Sequence, residues 1–129
     1  MVIATTAPRG NYLSPEPAPQ YENVFSDIKT PRTPAFNFVQ YGNRNKHWLM
    51  RYNSDPLDDD LIEEIDERFR DRWRTLLSVD DMIDDVMKKL EDIGELNNTF
   101  VLFTSDHGYH LGTFGNPWGK RLNYENGKR

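Results

Sequence analysis

A short apolar run that ends abruptly in polar residues constrains this chain more than any other feature. Residues 99–104 read Thr-Phe-Val-Leu-Phe-Thr, which is rich in β-branched and aromatic side chains and contains neither Pro nor Gly. Such a run predicts a buried β-strand. The next four residues are Ser, Asp, His and Gly. In open α/β sheets, ligands bind outside the carboxyl ends of the strands, so Asp106 and His107 would stand where such a fold places its chemistry.

The side chains that follow this strand could bind a metal ion. Asp106 offers carboxylate oxygen, which suits hard cations such as calcium, whereas His107 and His110 offer imidazole nitrogen, which suits transition metals. Adjacent strand residues point to opposite faces, so Asp106 and His107 can share one ion only if the backbone turns, which Gly108 permits. A turn capped by its own polar side chains is the alternative, because two or three ligands alone make an incomplete site.

Two helices are predicted ahead of the strand. In residues 57–77 the apolar positions recur every three or four residues, acidic side chains gather at the start and arginines at the end, as the helix dipole favours. Ser78 is then expected to cap a second helix that carries its own apolar stripe and ends at Gly94. Helix, tight turn and apolar strand together predict an α/β sheet with helices on its faces.

The arginines at the end of the first predicted helix allow two interpretations. They could form an anion-binding face, or they could belong to a solvated surface whose acidic and basic side chains pair with each other. The second interpretation is the simpler one, because the acidic residues that precede them lie at suitable helical spacings. The four arginines are Arg68, Arg70, Arg72 and Arg74.

The first part of the chain, residues 1–56, has a different character. Six of the eight prolines lie between Pro8 and Pro34, which by composition predicts an extended linker or a recognition segment. Its aromatic residues indicate that it packs on something. A short buried strand is expected at residues 2–4, and residues 36–39 could form another brief strand or an apolar anchor for the loop.

Composition sets further bounds. The chain has 129 residues and a formal net charge of −5, so its bulk charge is not suited to coating polyanions, and no nucleic-acid partner is expected. Cysteine is absent, which removes disulfides and a thiol nucleophile. The sequence contains no run of about 18 apolar residues, so no membrane span is predicted. The first residues lack the charged region and long apolar core of a signal peptide.

Several separated blocks resemble one enzyme family in its own order. The decisive block is residues 104–112, Thr-Ser-Asp-His-Gly-Tyr-His-Leu-Gly, followed by Gly119-Lys120 and Tyr124-Glu125. Upstream, residues 45–49 and 72–81 continue the likeness, and residues 94–99 carry it into the strand. These blocks look like the C-terminal-side signature of the sulfatases, and are most similar to the branch that acts on 6-sulfated glucosamine.

The resemblance implies a fold and a chemistry. The fold would be α/β and alkaline-phosphatase-like, incomplete here because such domains are far larger than 129 residues. Residues 1–129 would be a partial catalytic domain, divided into the Pro-rich loop region 1–56 and a second part, 57–129, with the helices, strand and metal-binding loop. Sulfatases hydrolyse sulfate esters with a formylglycine made from cysteine and a divalent cation, usually Ca²⁺, which neutralises charge on the sulfate.

The resemblance also assigns roles to residues. Asp106 matches a calcium-binding carboxylate, and His107 matches the next metal-site position. Lys120 matches a lysine that grips a sulfate oxygen, a role that suits a mobile ammonium with three donors. His110 would lie near the pocket and contact the substrate, with a structural histidine as the alternative. Arg9 stands where the family usually has a sulfate-binding histidine, and it could still hold an anion.

Parts of the family's site do not occur in this sequence. Without cysteine there is no Cys-x-Pro-x-Arg block to make the formylglycine, so this chain alone is not expected to turn over substrate. The functional hypothesis is a fragment of an enzyme that removes 6-O-sulfate from glucosamine residues of heparan or keratan sulfate, with a lysosomal or secreted home. A complete but inactive sulfatase-derived protein that binds a glycan or partner is the alternative, and a phosphate-specific hydrolase of related fold is a third.

Overall fold

One long helix, α1 (Asp59–Asp92), dominates the chain over 34 residues. The structure is a computed structural model and describes residues 1–10, 14–39, 47–48, 55–122 and 124–127. Two short antiparallel strands, β1 (His110–Leu111) and β2 (Trp118–Gly119), follow it. Short 3₁₀ helices occupy Pro19–Tyr21, Leu96–Asn98 and Glu125–Gly127.

The prediction of two helices is wrong, because α1 runs without a break through Ser78. No Pro or Gly interrupts the sequence there, and the apolar stripe keeps its spacing through Leu76, Val79 and Ile83. A serine caps a helix only where the backbone leaves the helical conformation. Here the continuing helix satisfies the backbone groups, so Ser78 is an exposed interior residue.

Both ends of α1 are capped by residues suited to that position. The Asp58 carboxylate accepts a hydrogen bond from the backbone N–H of Leu61 at 2.9 Å, which satisfies one of the unpaired donors of the first turn. At the other end Gly94 has φ +73° and donates to the carbonyl of Glu91, while Glu95 donates to the carbonyl of Leu90. These two bonds are the Schellman arrangement, so the predicted end at Gly94 is confirmed.

The predicted buried strand at residues 99–104 is absent. Phe100, Leu102 and Phe103 are 97, 93 and 83 % exposed, and the segment belongs to no strand. A strand with apolar side chains on both faces needs neighbouring strands for its backbone and covering layers for its side chains. Within the described residues the sheet consists of β1 and β2 alone, so neither is supplied. The strand predicted at residues 2–4 is wrong for the same reason, since Val2 is 93 % exposed.

The chain divides into two compact units, of which the first comprises residues 1–28 and 70–103. Here the Pro-rich segment packs as its aromatic residues indicated, with the rings of Phe25 and Trp73 edge to face at 6.4 Å. Arginines of α1 donate hydrogen bonds to its backbone carbonyls. These bonds join Arg72 to Pro8 at 2.9 Å, Arg74 to Val24 at 2.9 Å and Arg70 to Ile28 at 3.4 Å.

One half of the simpler interpretation of the arginine run is confirmed, because Arg68 pairs with Glu64 and Arg74 pairs with Asp71, each at 2.9 Å. The other half, a solvated surface, is wrong. Arg70 and Arg74 are only 7 and 8 % exposed. A buried guanidinium is tolerated when its several N–H groups find acceptors, and here backbone carbonyls of the Pro-rich segment provide them. Arg70, Arg72 and Arg74 therefore hold the Pro-rich segment against α1.

The second unit comprises residues 29–69 and 104–129 and contains the side chains after the predicted strand. Ile65 is fully buried in it, and the neighbouring Asp66 is 1 % exposed. Asp66 accepts hydrogen bonds from the Thr30 backbone N–H at 2.9 Å and from the Arg32 guanidinium at 2.9 and 2.6 Å. Burial alone would raise the pKa of Asp66, but the bonds from Arg32 and Thr30 outweigh it and lower that pKa.

Candidate functional site

The turn after residue 104 places Asp106 and His107 side by side. The Ser105 hydroxyl donates to the carbonyl of His107 at 2.7 Å, so the turn is capped by its own polar side chain. A carboxylate oxygen of Asp106 lies 3.3 Å from Nε2 of His107. Asp106 is 85 % exposed at its side chain and His107 is 34 % exposed. Both groups are therefore accessible to a ligand within this unit.

Lys120 joins these two residues from 13 positions further along the chain, and its Nζ contacts Nε2 of His107. The other ring nitrogen, Nδ1, lies 2.8 Å from the carbonyl oxygen of Gly108. A carbonyl oxygen can only accept, so we assign the hydrogen to Nδ1, which leaves the Nε2 lone pair directed at the Lys120 ammonium. Three of the four residues expected from the sequence thus meet in one cluster, here called the Asp106–His107–Lys120 cluster.

A small hairpin carries Lys120 to this cluster. His110 pairs with Gly119 and Leu111 pairs with Trp118 across β1 and β2. Gly119 has φ +121°, a backbone conformation that side-chain-bearing residues rarely adopt, so a glycine is needed directly before Lys120. The Arg68 guanidinium of α1 lies 4.0 Å above the Trp118 ring, a cation–π contact that ties β2 to the helix.

Two residues that precede α1, Phe36 and Asn37, contact the turn between the two strands. Phe36 forms an isolated β-bridge with Thr113, which confirms the apolar anchor expected near residues 36–39. The backbone N–H of Asn37 donates to the carbonyl of Gly112 at 2.7 Å. The Asn37 side chain also bonds both backbone groups of Leu57, at 2.7 and 3.1 Å. The loop therefore joins the hairpin to the start of α1.

The Phe36 ring packs directly on the Gly112 backbone. A Cβ atom at Gly112 would lie 2.3 Å from Cε2 of Phe36, and Gly112 has φ +79°. Both the space and the backbone conformation therefore require glycine. The sequence offered no signal that Phe36 and Arg68 support the site, because their contacts join residues far apart in the chain.

His110 does not join the cluster. It is 1 % exposed, and neither ring nitrogen makes a well-formed hydrogen bond within the described part of the chain. Its ring meets the Tyr124 ring edge to face at 5.9 Å. Burial lowers the pKa of His110, an effect that the nearby Leu122 backbone opposes in part.

Two other candidates contribute less. Arg9 is exposed, and its backbone N–H closes a turn to Thr6 at 2.9 Å within the first unit. The family resemblance of residues 45–49 also makes Lys46 or His47 a candidate sugar contact, and of these Lys46 lies outside the described residues. Its neighbours His47 and Trp48 have ring centroids 5.7 Å apart, and Trp48 is 59 % exposed.

The donor set of the cluster fits a hard cation only in part. Asp106 is an accessible carboxylate, the donor that Ca²⁺ prefers. The His107 Nε2 lone pair already accepts from Lys120, so His107 could coordinate an ion only if Lys120 moved aside. In the part of the chain that the structure describes, no three His, Cys, Asp or Glu side chains form a metal-binding group. Any cation held here would need further ligands.

Comparison with known proteins decides the family. The sulfatase family model matches residues 1–129. The chain belongs to the sulfatase family. Membership implies the α/β, alkaline-phosphatase-like fold, and the few elements of this chain are consistent with part of such a domain.

The relatives define the branch. The chain is 46 % identical over 125 residues to the N-acetylglucosamine-6-sulfatases of Capra hircus and Homo sapiens, which covers 97 % of this chain and 21 and 22 % of those proteins. It is 35 % identical over 130 residues to the "Extracellular sulfatase SULF-1 homolog" of Drosophila melanogaster, covering 97 % of this chain and 11 % of that protein. No solved structure gives a significant match. The chain spans about a fifth of the length of these N-acetylglucosamine-6-sulfatases.

The helices bear on one more expectation. Among the residues described, none of the helices combines the length and the apolar character that crossing a bilayer requires.

Proposed function

We propose that this chain is the part of a sulfuric ester hydrolase that supplies one half of its cation and sulfate site. The whole enzyme would remove 6-O-sulfate from glucosamine or N-acetylglucosamine residues of heparan or keratan sulfate. The observation that carries the proposal is the meeting of Asp106, His107 and Lys120, whose residue types suit a cation beside an anion. The identity to N-acetylglucosamine-6-sulfatases supports the substrate class.

Each member of the cluster has a role in this proposal. Asp106 would bind a divalent cation, Ca²⁺ by its preference for oxygen, and His107 would stand beside that ion. When bound, such an ion stabilises negative charge that develops on the sulfate oxygens. Lys120 would leave His107 and donate from its ammonium to a sulfate oxygen, for which its flexible stem is suited. The role of His110 as a substrate contact stays a prediction, and its burial favours the structural alternative.

Hydrolysis needs a nucleophile that this chain does not contain. It has no cysteine from which a formylglycine could be made. Positioned charge without an attacking group lowers only part of a barrier. The chain by itself is therefore proposed to bind but not to hydrolyse sulfate esters. A lysosomal or secreted location of the whole enzyme is proposed from its family, and the name of the Drosophila relative supports it.

The test is a titration of the 129-residue chain with Ca²⁺ and with N-acetylglucosamine 6-sulfate, in which NMR measures binding. We expect shifts at the Asp106, His107 and Lys120 resonances with the sulfated sugar, and none with N-acetylglucosamine. Asp106→Asn should abolish the response to Ca²⁺, and Lys120→Ala should weaken sugar binding about tenfold or more.

Two controls sharpen the test. Lys88→Ala removes a lysine from an exposed ion pair with Asp84 and should change neither response. A fluorogenic N-acetylglucosamine 6-sulfate measures turnover, which should stay at background. Equal shifts with the unsulfated sugar, or an unchanged response in Lys120→Ala, would refute the assigned site.

A further inference from the structure

The His110 side chain has an environment that ligand binding does not explain. It is 1 % exposed, and among the residues that the structure describes neither of its ring nitrogens makes a well-formed hydrogen bond. Burying a polar atom without a good hydrogen bond costs free energy of folding. The packing contacts of the ring have to offset that cost. The ring lies edge to face with Tyr124, whose own ring stacks on Phe114 at 4.6 Å.

The chain beyond the hairpin closes over this ring. A Cβ atom at Gly127 would lie 2.8 Å from Nε2 of His110, so the imidazole occupies the space that a side chain would fill. The segment is itself ordered by a hydrogen bond from the Gly127 N–H to the carbonyl of Tyr124 at 3.0 Å. The imidazole is thus enclosed by the segment that follows Lys120.

The backbone of the same residue lies beside the site. His110 in β1 pairs with Gly119 in β2, and Lys120 is the next residue. On one side the His110 ring anchors β1 beneath the segment 124–127, and on the other its backbone sets the position of β2. Movement of β1 would therefore carry Lys120 away from Nε2 of His107.

We propose that His110 is a positioning residue: the packing of its ring fixes the β2 backbone, so that the Lys120 ammonium stands within reach of His107 and of an anion bound beside it. This inference rests on the proposed function for its relevance to sulfate binding, since Lys120 is the group that would grip the anion. Because the ring fills the space beside Gly127 and packs on the Tyr124 ring, the role is expected to depend on the size and planarity of the ring. A phenyl ring should serve in its place.

The test compares His110→Phe with His110→Ala in the 129-residue chain. NMR reports the contact directly as a nuclear Overhauser effect between the ε-methylene protons of Lys120 and the ring proton on Cε1 of His107. We expect this signal in the wild type, its retention in His110→Phe, and at least a fivefold loss in His110→Ala. Tyr124→Ala, which removes the ring that His110 packs on, should reproduce the loss.

Ile65→Ala is the matched control for general loss of packing, because Ile65 is fully buried in the same unit. It should lower stability and keep the Lys120–His107 signal. The proposal is overturned if the wild type lacks the signal, if His110→Ala keeps it, or if Ile65→Ala loses it equally.

Sulfated-sugar binding by the same variants separates this proposal from the proposed function. If the wild type shows the Lys120–His107 signal and binds no sulfated sugar, the proposed function fails and the positioning role stands. If His110→Phe keeps the signal but loses sugar binding, a ring nitrogen contacts the ligand, and a role by packing alone is overturned. Retention of both in His110→Phe supports it.

Discussion

The Asp66 carboxylate receives the Arg32 guanidinium on both of its oxygens, at 2.9 and 2.6 Å. The carboxylate is buried at 1 % side-chain exposure, whereas the guanidinium is 40 % exposed. The ion pair therefore holds the exposed residue Arg32 against a buried position of α1. Its two ends are 34 residues apart in sequence.

Removal of Arg32 should destabilise the second unit. In Arg32→Ala the buried carboxylate loses its charged donor and keeps the Thr30 N–H. We expect the free energy of unfolding to fall by about 2 kcal/mol, measured by urea denaturation. Lys88→Ala, which breaks an exposed pair, should give no measurable change. Equal effects of the two substitutions would contradict the structural role of the buried pair.

The burial of His110 predicts a pH dependence. The pKa of its imidazole is lowered by burial from an ordinary value near 6.5, so the folded chain binds the proton more weakly than the unfolded chain. The contribution of the neutral imidazole to the free energy of unfolding should be complete above about pH 6.5. It should decline as the pH falls below that value toward the lowered pKa of the folded chain. Thermal denaturation between pH 5 and 8, in the wild type and in His110→Phe, measures this. The slope should be smaller in the variant, and an unchanged slope would assign the effect to other groups.

Gly112 should tolerate no side chain. Gly112→Ala would set a Cβ atom 2.3 Å from the Phe36 ring at φ +79°. Overpacking and backbone strain together should lower the free energy of unfolding by about 3 kcal/mol. Gly94→Ala is the matched control, because Gly94 has φ +73° with nothing within 4 Å, and it should cost about 1 kcal/mol.

A double variant separates the two causes at Gly112. In a Phe36→Ala background the three ring atoms nearest to a Gly112 Cβ are removed, while the positive φ of Gly112 remains. Gly112→Ala should then cost about as much as Gly94→Ala, about 1 kcal/mol. A cost that stayed at its full value would show that the ring of Phe36 is not the obstacle.

Ser78→Ala distinguishes one helix from two by the sign of its effect. Inside a continuous helix at an exposed position, alanine should raise the free energy of unfolding by up to about 0.5 kcal/mol. At the N-cap of a second helix the same change would cost about 1 kcal/mol. Chemical denaturation monitored by the far-ultraviolet circular dichroism of the helix reports the sign. Destabilisation would restore the two-helix prediction.

The exposed apolar segment should accept charge without loss of stability. Leu102 is 93 % exposed, so Leu102→Lys should change the free energy of unfolding by less than about 0.5 kcal/mol. It should also raise the concentration at which the chain aggregates, because uncharged β-prone segments promote association. Light scattering over a concentration series measures this. A large loss of stability would instead show that Leu102 is buried.

Features that depend on near neighbours along the chain could be predicted from the residues alone. The apolar spacing of α1 and its end at Gly94 involve residues within a few positions of one another. The order of the blocks around residues 104–112 and 119–125 was enough for the family. The polar turn at residues 105–108 was also evident, since its hydrogen bonds are local.

Tertiary structure decided the features that join distant residues. Which partner holds Asp66, how Phe36 requires a glycine at residue 112, and why His110 is buried depend on contacts across tens of residues or across a hairpin. The apolar run at residues 99–104 also shows that composition alone does not decide whether a strand forms. Its composition specifies a preference for a buried strand, but a strand forms only where neighbouring backbone supplies hydrogen bonds and neighbouring side chains exclude water.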